Sequence, residues 1–103
     1  MVEKTTTVKN SQGIHCRPSA EIVKAIKDYK GEMWVASAAS EGDPRSIMSL
    51  LSLGLACGHE VRVRVTGEGD VEMCEILVEL FTREYDFPPK KEEVSSAESD
   101  FVT

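Results

Sequence analysis

Between residues 60 and 66 the chain alternates without a break, with Val61, Val63 and Val65 on one side and Arg62 and Arg64 on the other. A period of two is that of a strand with one buried and one wet face, so this is the clearest strand in the sequence. Elsewhere the period is helical. Ile22, Val23, Ile26 and Tyr29 share one face while Glu21, Lys24, Lys27 and Asp28 fall off it, which predicts an amphipathic helix from the first turn around Pro18 to about residue 29. Gly31 is placed to end that helix in a left-handed conformation. Cys74, Leu77, Val78, Phe81 and Tyr85 make a second such face over 71–85, with Asp70 as its N-cap at the end of a Gly-rich turn. Residues 47–53 predict a short helix, apolar on more than one side, entered through Ser46 as N-cap and left through Gly54 and Gly58.

The other segments read as strands. The β-branched run Thr5, Thr6, Thr7 and Val8 predicts one over 3–10. Residues 32–38 predict another, with Met33 and Val35 on one face and Trp34 on the other. Residues 39–44 are turn-rich, and Pro44 limits any strand there to an edge. The order is βαββαβα, with helices enough to cover only one face of a sheet. That arrangement is an α+β open-faced sandwich, an antiparallel sheet with helices on one side and solvent on the other. The 103 residues suffice for one domain. Pro88 and Pro89 close it at about residue 88, and the charged, serine-rich stretch 89–103 reads as a mobile tail.

Charge and composition narrow the function. The net charge of −6 excludes a general nucleic-acid binder, which needs a basic field. A local basic spot from Arg17, Lys24 and Lys27 remains compatible with it. No apolar run nears the roughly 20 residues of a membrane span, and the first residues lack a signal-peptide core, so the expected compartment is the cytoplasm. Cys16, Cys57 and Cys74 are odd in number and form no CxxC pair, which predicts reduced thiols. No spacing among them, His15 and His59 suits a metal, and no P-loop or dinucleotide fingerprint occurs, so no cofactor is expected.

The stretch Gly13-Ile14-His15-Cys16-Arg17-Pro18-Ser19 concentrates the candidate chemistry. It sets His15 at or just before a helix start, where free backbone N–H groups and the positive end of the helix dipole favour anions. A neutral imidazole nitrogen is a nucleophile. Together they suggest a histidine that carries a phosphoryl group, held by Arg17 and backbone N–H groups, with Ser19 as a further donor. Cys16 lacks a third orienting residue, so a Cys/His catalytic pair is not indicated. His59 reads as structural.

Those seven residues resemble the active-site signature of HPr, the histidine-containing phosphocarrier family of the bacterial phosphoenolpyruvate-dependent sugar phosphotransferase system. The stretch from Arg45 through Ser46, Ile47, Met48, Ser49, Leu50, Leu51, Ser52 and Leu53 to Gly54 resembles the regulatory-serine motif of the same family. The resemblance spans about residues 2–87. It implies a four-stranded sheet with three helices on one face. It also implies that His15 accepts a phosphoryl group on Nδ1 from phosphorylated enzyme I and passes it to enzyme II A components, with Arg17 stabilising the phosphate. Such a protein is a carrier, a substrate at each end rather than an enzyme with turnover, and is expected to be a monomer.

Ser46 matches the target of HPr kinase/phosphorylase. Ile47, Met48 and Leu51 match the surface that docks enzyme I, enzyme II components and, in some organisms, a transcriptional regulator. Two departures bear on Ser46: Pro44 precedes it closely, and Ser49 stands where glycine is frequent. Two alternatives stay open, a nitrogen-related or purely regulatory paralogue, and a phosphate-free docking module that uses the Ile47/Met48 surface.

Overall fold

The structure, a computed structural model, describes residues 1–85. The domain boundary expected at residue 88 and the tail 89–103 lie outside the described residues. Four strands, β1 (Val2–Thr7), β2 (Glu32–Ala36), β3 (Glu41–Gly42) and β4 (Glu60–Thr66), and three helices, α1 (Cys16–Ile26), α2 (Ile47–Ser52) and α3 (Asp70–Thr82), follow in the order βαββαβα. The sheet order is β1-β4-β2-β3, antiparallel throughout.

The alternation in β4 sets the layers. Val61, Val63 and Val65 are fully buried and pack under the helices with Met33 and Val35 of β2. The register places Val2, Lys4 and Thr6 of β1 opposite those valines. Ile22 and Ile26 of α1, Leu50 of α2, and Cys74, Leu77, Leu80 and Phe81 of α3 close the core above them. Each such apolar side chain contributes about 1.5–3 kcal/mol when withdrawn from water.

The other face of the sheet is open. There Trp34 lies under the guanidinium groups of Arg64, 4.4 Å from the ring centre, and Arg62 at 5.5 Å, and its indole N–H donates to Glu41 at 2.6 Å. The two-residue β3 lies at the sheet edge and ends two residues before Pro44.

Several boundaries differ from the sequence reading: β1 ends at Thr7 and β2 at Ala36, short of the residues 10 and 38 expected. α1 stops at Ile26, and the chain turns with the Tyr29 N–H on the Ile26 carbonyl at 3.1 Å. Gly31 is not left-handed; a Cβ there would collide with the Thr66 carbonyl and the Tyr29 ring, so close approach of two chain segments is what requires glycine. Gly69 rather than Asp70 is the N-cap of α3, and Asp70 is its first helical residue. α3 ends at Thr82, yet Tyr85 still reaches the core from the extended chain beyond it.

Candidate functional site

The loop between β1 and α1 is built around Gly13. Its φ of 74° lies in the left-handed region, and a Cβ on it would run into the backbone of Leu55 and Ala56. Only glycine serves both needs. The next residue is pinned to the same segment, with the Ile14 N–H on the Leu55 carbonyl at 2.9 Å. Leu55 follows directly on the exit from α2, whose C-cap is Leu53. The approach to α1 and the end of α2 are therefore held side by side, as the two motifs in the sequence require if they form one surface.

His15 is the N-cap of α1, extended at φ −100° and half-buried. Its side chain does not cap the helix, while its carbonyl accepts the Ser19 N–H at 2.9 Å. The first N–H groups of a helix have no partner within it. Pro18 has no N–H and that of Ser19 is used, which leaves those of Cys16 and Arg17 pointing out of the helix beside His15. Arg17 is exposed in the same turn, and no acidic residue sits there to compete for it. Lys24 lies in the last turn of α1 and Lys27 at its C-cap, roughly 10 Å or more along the axis from Arg17. Of the three expected cations, Arg17 is the one in the first turn, next to His15.

Ser19 corrects the sequence reading. It is fully buried and its hydroxyl has no hydrogen-bond partner, so it faces the core and does not add a donor to the surface where His15 sits. Helical spacing carried the signal: Ser19, Ile22 and Ile26 fall on one face. Cys16 is exposed beside His15, Cys57 is exposed, and Cys74 is buried; all three are free thiols. His59 accepts the Ala56 N–H on Nδ1 at 3.1 Å and so braces the turn after α2.

At the other end of α2, the Ser46 hydroxyl accepts the Ser49 N–H at 3.2 Å, as an N-cap does. The turn that presents it is rigid for a reason the sequence hides. Arg45 donates to the carbonyls of Tyr29 and Gly31, at 3.0 and 3.1 Å, and grips the Asp43 carboxylate. Partial burial works against the ionised carboxylate, but the hydrogen bonds from Arg45 prevail and hold Asp43 below its usual pKa. Pro44 is buried in this turn, and the Ser46 N–H closes on the Asp43 carbonyl at 3.0 Å. On α2 itself Met48 is 71% exposed and Ile47 40%, while Leu51 is half-buried and Leu50 is core. Two apolar side chains thus stand in solvent on one short helix.

Asn10 was not singled out by the sequence. It is fully buried, its Nδ2 donates to the Gly13 carbonyl at 2.7 Å, and its Oδ1 accepts the backbone N–H of Tyr85. A partner 75 positions away leaves no local pattern to read. Among the described residues no cluster of His, Cys, Asp and Glu could hold a metal ion, and no helix is long and apolar enough to cross a membrane.

Comparison with known proteins agrees with this geometry. A phosphocarrier protein HPr from Xylella fastidiosa is 29% identical over 85 residues, 82% of this chain and 96% of its own. The phosphocarrier protein HPr of Chlamydia trachomatis is 35% identical over 75 residues, 73% of this chain and 69% of its own. The crystal structure of HPr-C-His from Thermoanaerobacter tengcongensis superposes with a TM-score of 0.72 at 32% identity, over 79% of this chain and 91% of that one. The family model for the PTS HPr component phosphorylation site matches residues 2–83, nearly everything described above, and with His15 and Arg17 together at the mouth of α1 the chain belongs to the HPr phosphocarrier family of the phosphotransferase system.

Proposed function

We propose that His15 accepts a phosphoryl group from phosphorylated enzyme I and gives it up to an enzyme II A component. The observation that carries this reading is the placement of His15 as N-cap of α1, with Arg17 in the same turn; the N–H groups of Cys16 and Arg17, in the first turn, have no partner within the helix. In the forward step an imidazole nitrogen of His15 attacks phosphorus in line. The new N–P bond forms as the bond from phosphorus to the donor breaks, and the donor keeps that electron pair. Charge then lies on the three phosphoryl oxygens, where Arg17 and the two N–H groups donate. The onward step is the same displacement with His15 as the leaving group.

Ile47, Met48 and Leu51 form the docking surface for both partners on this reading. The hydrogen bond from Ile14 to Leu55, which ties the approach to His15 to the chain just past α2, supports it. Ser46 is the regulatory position, a target for HPr kinase/phosphorylase. A phosphate there would bring about −1.5 to −2 charges to the docking helix without losing the N-cap acceptor. A transcriptional regulator would read the modified surface.

The test is incubation with enzyme I and phosphoenolpyruvate, followed by intact mass and acid treatment. One acid-labile phosphate, absent in His15→Ala, is the expected result. A folded protein that takes none from a competent enzyme I refutes the carrier reading.

A further inference from the structure

Gly13 is held on both sides by one residue. Its N–H donates to the Asn10 carbonyl at 2.9 Å, and its own carbonyl accepts from Asn10 Nδ2 at 2.7 Å. The remaining end of the side chain, Oδ1, takes the Tyr85 N–H, so this loop is tied to the chain just past α3. Tyr85 is itself anchored, its hydroxyl donating to the Leu80 carbonyl of the last helical turn at 2.7 Å. The tie therefore runs from α3 through Tyr85 and Asn10 to Gly13, and from Gly13 through Ile14 to His15. None of these links passes through α2 or its exposed side chains.

We propose that Asn10 is a positioning residue for the phospho-acceptor, its buried amide fixing the direction in which Gly13 and Ile14 deliver His15 to the mouth of α1. The proposal rests on the carrier reading of His15. The chemistry is specific to an amide, which offers a donor at one end and an acceptor at the other. An ionised carboxylate of the same shape keeps the acceptor for Tyr85 but sets an acceptor against the Gly13 carbonyl. Alanine leaves both groups without their partner in a space closed to water. In either case the left-handed turn at Gly13 loses its outer clamp. An in-line transfer is steeply sensitive to such a loss, since a shift of about 1 Å at the reacting atom costs on the order of 100-fold.

The experiment compares the wild type with Asn10→Ala, Asn10→Asp and Ile26→Val, a core change at the far end of α1. Urea unfolding first fixes the temperature at which all four are folded. Steady-state phosphorylation by enzyme I, with the protein as varied substrate, then separates kcat from KM. The expected result is a fall in kcat of about tenfold or more for both Asn10 variants, with KM within about twofold, because the exposed face of α2 is untouched. Ile26→Val should leave both constants near the wild-type values. The proposal is overturned if either Asn10 variant keeps its kcat within about twofold, or if Ile26→Val loses as much at equal stability.

If the wild type itself takes no phosphate, the carrier reading fails. Whether Asn10 fixes the orientation of His15, the structural half of the proposal, is then decided by NMR of the same proteins. Displaced His15 ring resonances in both Asn10 variants uphold it, and unchanged ones overturn it.

Discussion

Alkaline pH tests how firmly Tyr85 is held, and with it the anchor of the His15 loop. Tyr85 is 8% exposed, and its hydroxyl donates to the Leu80 carbonyl. Burial pushes its pKa up from 10.0 to about 12, with Arg83 opposing that rise. A group whose pKa is higher in the folded state stabilises the fold fully below its unfolded value, and that contribution is lost as pH climbs through the folded value. A rise from 10.0 to about 12 corresponds to about 2.7 kcal/mol, so between about pH 10 and 12 the wild type should lose about 1.4 kcal/mol for each pH unit.

Tyr85→Phe keeps the ring and removes the titrating group. At about pH 8 it should be less stable than wild type by about 1 kcal/mol, the worth of the bond to Leu80. By about pH 11 the wild type has lost most of that advantage or fallen below the variant. Urea unfolding followed by far-UV circular dichroism gives both stabilities. Other alkaline titrations, that of Tyr29 among them, are common to the two proteins and cancel in the difference. A stability difference that stays constant from about pH 8 to 11 would show that Tyr85 is not buried as described, and would remove the outer anchor from the Asn10 clamp.

Ser19→Ala should stabilise the protein by about 1 kcal/mol, because the buried hydroxyl has no partner and its desolvation is uncompensated; a higher thermal midpoint with unchanged phosphorylation is the expected outcome, and a lower one refutes the assignment. Met48→Asp should leave stability within about 0.5 kcal/mol, since the side chain is 71% exposed. The same variant should raise KM for phosphorylation by enzyme I about tenfold, a value set by a hot-spot loss of about 1.4 kcal/mol, and an unchanged KM would move the docking surface elsewhere.

What could be read in the sequence was local. The alternation of β4 depends on nearest neighbours, and the predicted bounds of that strand match the observed ones. Ser46 as N-cap needs only the helix that follows it. The strand order β1-β4-β2-β3 was not readable, because periodicity tells which face a residue takes and not which strand lies beside it. Close contacts between distant segments were hidden for the same reason. Gly31 is required by Thr66, the Trp34 ring is covered by arginines two strand positions apart on β4, and Arg45 is spent on the turn after α1. His15 and Arg17 were legible because their pairing is sequential; Asn10 was not, because its acceptor oxygen answers to the other end of the domain.

The groups that would touch the phosphoryl oxygens are few and lie near the surface: one exposed guanidinium and two N–H groups at a helix end. A helix terminus contributes only about 0.3–1 kcal/mol to an exposed anion, and at most about 2 when partly buried. On the proposed reading, binding of that size would not trap a phosphoryl group on His15, so the free energy of the P–N bond would stay available for the next transfer. What such a site lacks in depth must come from placement, because positioning lowers the barrier in both directions without deepening the intermediate. The fold supplies placement from two remote anchors, Leu55 after α2 and Tyr85 after α3, which meet the loop at Ile14 and Asn10. Adding donors around His15 would strengthen the hold on a phosphoryl group there and slow its release; fixing the loop that carries it does neither.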